Sequence, residues 1–217
     1  MWYAALFLEL DGAKNKANAE YMAKYMKNQF EFLGVPTPLR KSICAKHFKK
    51  KSEAKVDYDF IDICYKSLYR EYQYMAVNYL QAVWEQLKAA DFKLIQTLII
   101  NKSWWDTVDG LDKIAGLLAE KYPALNKKLV VWSKSDNIWL RRAAIDHQLY
   151  RKEKTDVELL EAIIINNFGT SEFFINKAIG WALREYSKTN PSWVKAFIDR
   201  HRLELSGLSL REGSKYI

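Results

Sequence analysis

A repeat of 34 residues constrains the fold of this chain more than any other feature of its sequence. A small residue followed by an aliphatic one recurs five times at this spacing, at Ser42-Ile43, Ala76-Val77, Gly110-Leu111, Ala144-Ile145 and Ala178-Ile179. A second, apolar series has the same period, and its members are Ile61, Ile95, Leu129, Ile163 and Phe197. Two series in register over five units predict a stack of similar structural units.

The repeat predicts an all-α fold, an α-α superhelix (solenoid) of helical hairpins. The chain has only 8 Gly and 4 Pro, which favours long helices over many short strands. Helices that carry the small-aliphatic pair are expected near 38–50, 71–88, 104–121, 137–151 and 173–188. Their partner helices are expected near 57–68, 92–101, 125–134, 157–167 and 192–202. The period also fits tetratricopeptide repeats, but their internal signature is not found.

Helix ends and domain organisation follow from the same pattern. Pro123 and Asn190-Pro191 fall between predicted helices, as turn-formers should. Ser103 is expected to cap the helix near 104–121, and the spacing from Ser209 to Glu212 is that of a capping box for a last short helix. Because each unit of a solenoid buries its apolar face only against its neighbours, residues 1–217 are expected to form one continuous domain with a concave wall.

The charge balance indicates a polyanionic partner. Lys and Arg number 34 against 26 Asp and Glu, which gives a net charge of +8. Nucleic acid is the commonest polyanion that a small basic protein meets, although a generally basic surface without a specific partner is the alternative. The two cysteines suit a reducing compartment, and no apolar run approaches the ~18 residues of a membrane span. We therefore expect a cytoplasmic monomer that does not associate with membranes.

Several kinds of active site are missing from the sequence. There is no glycine-rich phosphate loop, so no nucleotide cofactor is expected. The three histidines, His47, His147 and His201, form no metal-binding pair at helical spacing, and no metal site is expected. An enzyme built on this chain would have to use carboxylates, aromatic rings and basic groups.

Four residues with those properties are predicted to converge on one wall of the stack. Trp105 and Asp109 are four residues apart, so they share a helix face. In the 34-residue register, Arg142 is equivalent to position 108 and Trp181 to position 113. The alternatives are that either tryptophan is a packing residue, that Asp109 pairs with Lys113 on the surface, and that Arg142 is solvated.

At these residues the chain resembles the AlkD family of DNA glycosylases, which remove alkylated purines. The resemblance covers nearly the whole chain. Its blocks are 25–30, 32–35, 37–38, 70–74, 104–109, 139–145, 178–184 and 205–209. It implies a fold of HEAT-like helical repeats, in agreement with the period.

The resemblance also implies roles for individual residues. Asp109 matches the family's catalytic aspartate, Trp105 and Trp181 match its two cleft tryptophans, and Arg142 matches its phosphate-contacting arginine. Arg141 is adjacent, and the sequence leaves open which of the two arginines faces the cleft. Tyr25 is a further candidate contact to DNA, and Trp104 is another. Independently of the resemblance, the basic residues Lys27, Arg40, Lys41, Lys177 and Arg184 are candidate phosphate contacts, and the alternative for each is a solvated helix face.

The function that the resemblance implies is hydrolysis of the N-glycosidic bond of cationic purines alkylated at N3 or N7, such as 3-methyladenine and 7-methylguanine, in double-stranded DNA. The lesion is expected to stay stacked instead of flipping into a pocket, and no lysine is singled out for lyase chemistry. Two alternatives share the scaffold, a non-catalytic nucleic-acid binder and a protein-interaction solenoid that grips a partner through its tryptophans.

Overall fold

The computed structural model describes residues 1–48 and 55–217, and it separates into two compact units, Met1–Leu87 and Lys88–Ile217. The regular elements of the described residues are thirteen α-helices and four short 3-10 turns, with one isolated bridge between Glu31 and Tyr69. The predicted all-α helical-repeat fold is therefore confirmed. That residues 1–217 form one continuous domain stays a prediction.

The first unit is built around an aromatic core. Its helices are α1 (Ala4–Gly12), α2 (Lys16–Tyr25), α3 (Thr37–Phe48), α4 (Tyr58–Lys66) and α5 (Arg70–Ala82). Phe60 is fully buried, and the ring centroids of Trp2, Tyr3, Phe7, Phe48 and Tyr79 lie 4.9 to 6.0 Å from its own. Tilted and edge-on ring pairs at these distances add to the stabilisation from burial.

A buried carboxylate fixes the segment between α2 and α3. Glu71 accepts hydrogen bonds from the backbone N–H groups of Leu33, Gly34 and Val35 at 2.9, 2.9 and 3.2 Å. Gly34 has φ +85°, and a Cβ there would lie 2.0 Å from the carbonyl oxygen of Asn15. Only glycine fits this position, because an L side chain would meet both backbone strain and a main-chain clash.

The second unit contains the rest of the repeat. Its helices are α6 (Phe92–Ile100), α7 (Trp105–Lys121), α8 (Asn126–Trp132), α9 (Ile138–Asp146), α10 (Val157–Ile165), α11 (Phe173–Ser187), α12 (Pro191–Arg200) and α13 (Gly207–Gly213). Helix α9 packs between α7 and α11, and α11 packs against α12 and α13. Helices α6, α8 and α10 also contact α9. Three consecutive repeats thus set α7, α9 and α11 side by side.

The periodic residues are buried as the repeat predicts. The aliphatic residue of all five pairs and every member of the second series lie in the interior. The small residues behave less uniformly, since Ala76, Ala144 and Ala178 are buried whereas Ser42 is exposed. Close helix contact through the small side chain therefore explains only part of that series.

All ten predicted helices are present, but several end early. Helix α5 ends at Ala82 instead of 88 and gives way to a 3-10 turn at Trp84–Gln86. Helix α9 ends at Asp146 instead of 151, and Tyr150 and Lys152 beyond it have φ values of 68° and 54°. Such left-handed conformations cannot continue a right-handed helix. The predicted end of the helix near 38–50 lies outside the described residues.

Both predicted caps are wrong, and a cap that was not predicted is present at Asn190. The Ser103 hydroxyl donates back to the carbonyl of Ile99 at 2.6 Å, and it does not cap α7. Helix α13 begins before the expected box, because Ser206 caps it by accepting from the N–H of Ser209. Asn190 does cap α12, where Pro191 occupies the first position.

In the part of the chain that the structure describes, no helix has both the length and the apolar character that crossing a bilayer requires.

Substitution of Gly116 by alanine should destabilise the protein. A Cβ at this position of α7 would lie 2.0 Å from the carbonyl oxygen of His147, so α7 and the end of α9 would have to separate. We expect Gly116→Ala to lower the free energy of unfolding by about 2–3 kcal/mol in urea denaturation. In the control Gly207→Ala the new methyl group meets nothing within 4 Å, and stability should change by less than about 0.5 kcal/mol. Equal stability of the two variants would contradict the packing described.

Candidate active site

The centre of the candidate site is an ion pair between neighbouring helices. The Nε and Nη2 groups of Arg142 on α9 donate to the two carboxylate oxygens of Asp109 on α7 at 2.8 and 2.9 Å. The Arg142 side chain is 4% exposed and that of Asp109 is 21% exposed. Bidentate pairing of this kind is strong and fixes both groups in orientation. Asp109 thus pairs with Arg142 of the next repeat and not with Lys113 on its own helix.

Three further groups hold Arg142 in place. Its Nη1 donates to the carbonyl oxygen of Phe174 at 2.9 Å, and its Nη2 lies 3.5 Å from Oδ2 of Asp146, one turn along α9. The Trp181 ring centroid lies 6.0 Å from the guanidinium carbon, at the limit of a cation–π contact. Burial lowers the pKa of Arg142, but Asp146 and Asp109 more than offset this and raise it above its ordinary value. The guanidinium therefore stays charged.

Two more carboxyl groups lie beside the pair. Oxygens of Asp109, Asp112 and Asp146 all lie within 4.8 Å of one another. Asp112 and Asp146 are 2% and 1% exposed, and Oδ2 of Asp112 and both oxygens of Asp146 are buried without a hydrogen-bond partner. Carboxylates in such a group can bind a divalent cation, but here the Arg142 guanidinium already supplies positive charge to two of them.

Burial opposes ionisation of all three carboxyl groups. Burial raises the pKa of Asp146 to about 7, even though Arg142 acts in the opposite direction. Burial, together with the charge of Asp146, raises the pKa of Asp112 well above its ordinary value. Burial also raises the pKa of Asp109, and its hydrogen bonds from Arg142 oppose that rise. Of the three, Asp109 makes the most direct contact with Arg142.

Asp109 lines a cavity of about 460 Å³. Its acidic side is formed by Asp109, Asp112 and Asp146, and Trp181 and Tyr150 line it with rings whose centroids are 6.5 Å apart. The lining also includes the basic residues Lys113, Arg151 and Lys154, and Glu120, which pairs with Lys154. A cavity with this lining can hold a cationic group next to Asp109 while the basic residues attract phosphate.

The other predicted residues of the second unit have distinct positions. Trp105 is half-buried in the first turn of α7, one turn before Asp109. Trp104 packs against the rings of Trp139 and Phe174, with centroids 5.6 and 5.2 Å away. Arg141 donates to the Asn167 side chain at 2.7 Å. Of the two adjacent arginines it is therefore Arg142 that meets Asp109.

Two of the basic candidates, both on α11, form ion pairs with another helix of the protein. Lys177 and Arg184 lie 3.1 and 2.7 Å from the carboxylate of Glu212 on α13. Arg184 donates a hydrogen bond to this carboxylate. These ion pairs tie α11 to α13, and a contact of either residue with DNA would have to share or break them.

The candidates in the first unit differ in exposure. Tyr25 is 61% exposed at the end of α2, and Lys27 is exposed just beyond it with φ 58°. Lys41 is exposed on α3. Arg40 is only 6% exposed, and it donates to Asn78 at 2.7 Å. Tyr25, Lys27 and Lys41 are thus placed to meet a large ligand, whereas Arg40 is a packing residue in this structure.

Sequence reasoning missed Asp112 and Asp146, although a signal was present. The two residues are 34 positions apart, so they occupy the same place in consecutive repeats. Carboxyl groups at an equivalent buried position of adjacent helices must meet when the repeats stack.

With the geometry described, comparisons with known proteins identify the family. The family model for DNA alkylation repair enzymes matches residues 7–217, and the chain belongs to that family. It is similar to the structure of a "predicted DNA alkylation repair enzyme" from Enterococcus faecalis, with 38% identity, a TM-score of 0.86, and coverage of 94% of this chain and 96% of that one.

A more distant structural neighbour shares the fold. The structure of smu.31 from Streptococcus mutans UA159 has a TM-score of 0.61 at 21% identity and covers 83% of this chain and 96% of that one. At this identity the likeness supports the fold alone. No curated protein sequence gives a significant match.

The buried histidine at the end of α9 predicts a loss of stability in acid. His147 is 3% exposed, its Nδ1–H donates to the carbonyl of Ala144 at 2.6 Å, and Nε2 is buried without a partner. Burial and the charge of Arg151 lower its pKa from 6.5 to about 3. Between these values the unfolded chain binds one more proton than the folded protein, so stability falls as pH is lowered through this range.

The effect can be isolated by substitution. The free energy of unfolding of the wild type, measured relative to His147→Gln, should fall by up to ~1.4 kcal/mol per pH unit between pH 6.5 and 3. A difference that stays constant with pH would show that His147 titrates normally in the folded protein.

Proposed function

We propose that this protein is a monofunctional DNA glycosylase that hydrolyses the N-glycosidic bond of cationic N3- or N7-alkylated purines in double-stranded DNA. The observation that carries the proposal is the Asp109 carboxylate, placed at an open cavity beside Trp181 and oriented by the buried Arg142. Membership of the DNA alkylation repair enzyme family supports it. The expected substrates are 3-methyladenine and 7-methylguanine.

The proposed reaction needs no cofactor because the lesion is already activated. Alkylation at N3 or N7 gives the purine a positive charge. When the bond to the sugar breaks, the base takes both bonding electrons and leaves neutral, and C1′ of the deoxyribose develops oxocarbenium character. Water then adds to C1′ and loses a proton, which leaves an abasic site in an unbroken strand. The enzyme's task is to stabilise the cation and to place the water.

We assign that task to Asp109. Its carboxylate is the most accessible of the three buried carboxyl groups, and it can face a cationic sugar and accept a hydrogen bond from the attacking water. The faces of Trp105 and Trp181 would exclude bulk water and attract the cation, at about 0.5–2 kcal/mol per contact. Arg142 would bind the phosphate next to the lesion.

The mode of DNA binding is the second part of the proposal. We infer that the lesion is approached from its sugar–phosphate side and stays stacked, as the resemblance to the AlkD family implies. The exposed Tyr25, Lys27 and Lys41 are the remaining candidate contacts. The protein would act as a cytoplasmic monomer without a metal ion or nucleotide cofactor.

Asp109→Asn should abolish most base release. The amide keeps the shape of the side chain but carries no charge to stabilise the oxocarbenium ion, so the rate constant should fall by about 10²-fold or more. The measurement is single-turnover release of free 7-methylguanine from a duplex that contains one such lesion. The control Asp199→Asn removes the same charge from an exposed site on α12 and should leave the rate unchanged.

The possible results separate the candidate functions. Release that is unaffected by Asp109→Asn would remove this residue from the reaction. Duplex binding by a folded protein that releases no base from several cationic lesions would favour a non-catalytic binder, and no duplex binding at all would favour a protein-interaction solenoid.

Duplex affinity should fall steeply with salt. Each phosphate that a basic residue neutralises contributes about −0.9 to the slope of log K against log salt concentration. If the exposed Lys27 contacts a phosphate, Lys27→Gln should reduce this slope by about one. The slope is measured by fluorescence anisotropy between about 50 and 200 mM salt. Lys195→Gln on α12 is the control, because Lys195 is paired with Asp199, and it should not change the slope. Equal slopes for all three proteins would remove Lys27 from the interface.

A further inference from the structure

Arg142 has two carboxylate partners at different distances. Its Nη2 lies 2.9 Å from Oδ2 of Asp109 and 3.5 Å from Oδ2 of Asp146. The first contact is part of a bidentate hydrogen-bonded pair, and the second is an ion pair without a hydrogen bond. The guanidinium therefore lies between two carboxyl groups but is fully bound to one of them.

This arrangement conflicts with the chemistry of the proposed reaction. Asp109 has to present its charge to a cationic sugar, yet Arg142 donates a hydrogen bond to each of its oxygens and offsets that charge. Arg142 has to reach a phosphate, yet it is held at Asp109. The pair must loosen on DNA, and a buried guanidinium that lost its counter-charge would destabilise the complex strongly.

We propose that Asp146 is a positioning residue that takes over the guanidinium of Arg142 when DNA draws it away from Asp109, and that it thereby frees the Asp109 carboxylate for the reaction. The inference rests on the proposed glycosylase function and concerns how that site is switched from a closed to a working state.

The geometry around Asp146 suits this exchange. Asp146 is 1% exposed, and both of its oxygens are buried without a hydrogen-bond donor, so they can accept a hydrogen bond from Arg142 without losing one. The opposite end of the guanidinium is anchored, because Nη1 donates to the carbonyl of Phe174 at 2.9 Å. A small rotation about this anchor would bring Nη2 from Asp109 to Asp146.

The neighbouring Asp112 does not have the same relation to Arg142. It belongs to the same group of carboxyl groups and is also buried, and the charge of Arg142 opposes the rise in its pKa, but its Oδ2 has no hydrogen-bond partner. The Arg142 ion pairs run to Asp109 and Asp146. Asp112 therefore lines the same cavity but is not a partner in the proposed exchange.

The test is single-turnover release of 7-methylguanine by Asp146→Asn over a series of protein concentrations. The asparagine oxygen can accept a hydrogen bond but offers no charge, so Arg142 should stay with Asp109. We expect the rate constant at saturation to fall by about tenfold, while the concentration for half-maximal rate changes by less than about threefold. Asp199→Asn, which removes a carboxylate charge from an exposed site on α12, should keep the wild-type rate within about threefold, and thermal unfolding of each variant reports on folding.

Each result decides the inference. The selective loss in Asp146→Asn supports it, and Asp146→Ser, which is neutral and smaller, should show the same loss if the asparagine variant is unstable. A wild-type rate in Asp146→Asn overturns the inference but leaves the glycosylase function intact. A loss of rate in Asp146→Asn that is fully accounted for by a smaller folded fraction at the assay temperature assigns Asp146 a structural role and also overturns the inference. A folded wild-type protein that releases no base overturns both.

Discussion

The second unit of this protein depends on neutralising one buried cation, the guanidinium of Arg142. Arg142 is only 4% exposed, so its charge must be compensated inside the protein. Without this compensation the charge would destabilise the folded state by several kcal/mol. Here the compensation comes from three helices at once, through Asp109 on α7, Asp146 on α9 itself and the carbonyl of Phe174 on α11. The requirement couples the packing of three consecutive repeats to the geometry of the candidate site.

That coupling explains why a helical repeat can carry chemistry. The apolar residues of the 34-residue period set α7, α9 and α11 side by side, and this alone would give a scaffold. Where α7 and α9 meet, a guanidinium and three carboxyl groups stand in place of apolar contacts, and together they form a charged centre. Because the same centre opens onto a cavity beside Trp181, the charge that stabilises the stack is also available to a ligand.

Much of this could be predicted from sequence because helical repeats are periodic. The register predicts ten helices that the structure contains, and it predicts that Asp109 lies next to Arg142, as the structure shows. Helices α1 and α2 were not predicted, since they precede the first repeat. The wrong predictions at Ser103 and Ser209 have a local cause. A serine hydroxyl near a helix start can donate to a preceding carbonyl, as Ser103 does, or the serine can lie within the first turn of the helix, as Ser209 does.

The finer features of the site were harder to reach from sequence. Lys177 and Arg184 are equally consistent with a phosphate contact or an internal ion pair, and Glu212, which decides between these in the free protein, lies about one repeat further along the chain. The buried state of Asp112 and Asp146 depends on how closely α7 approaches the end of α9, where Gly116 meets the main chain of His147. Such contacts are set by packing and not by spacing.

The most direct test of the central claim is a double-mutant cycle on base release with Asp109→Asn, Arg142→Gln and the two together, measured as single-turnover rate constants on 7-methylguanine duplex. If the two side chains act as one unit, the double variant should be no slower than the slower single variant. Losses that multiply, as for two independent residues, would contradict a shared role for the Asp109–Arg142 pair.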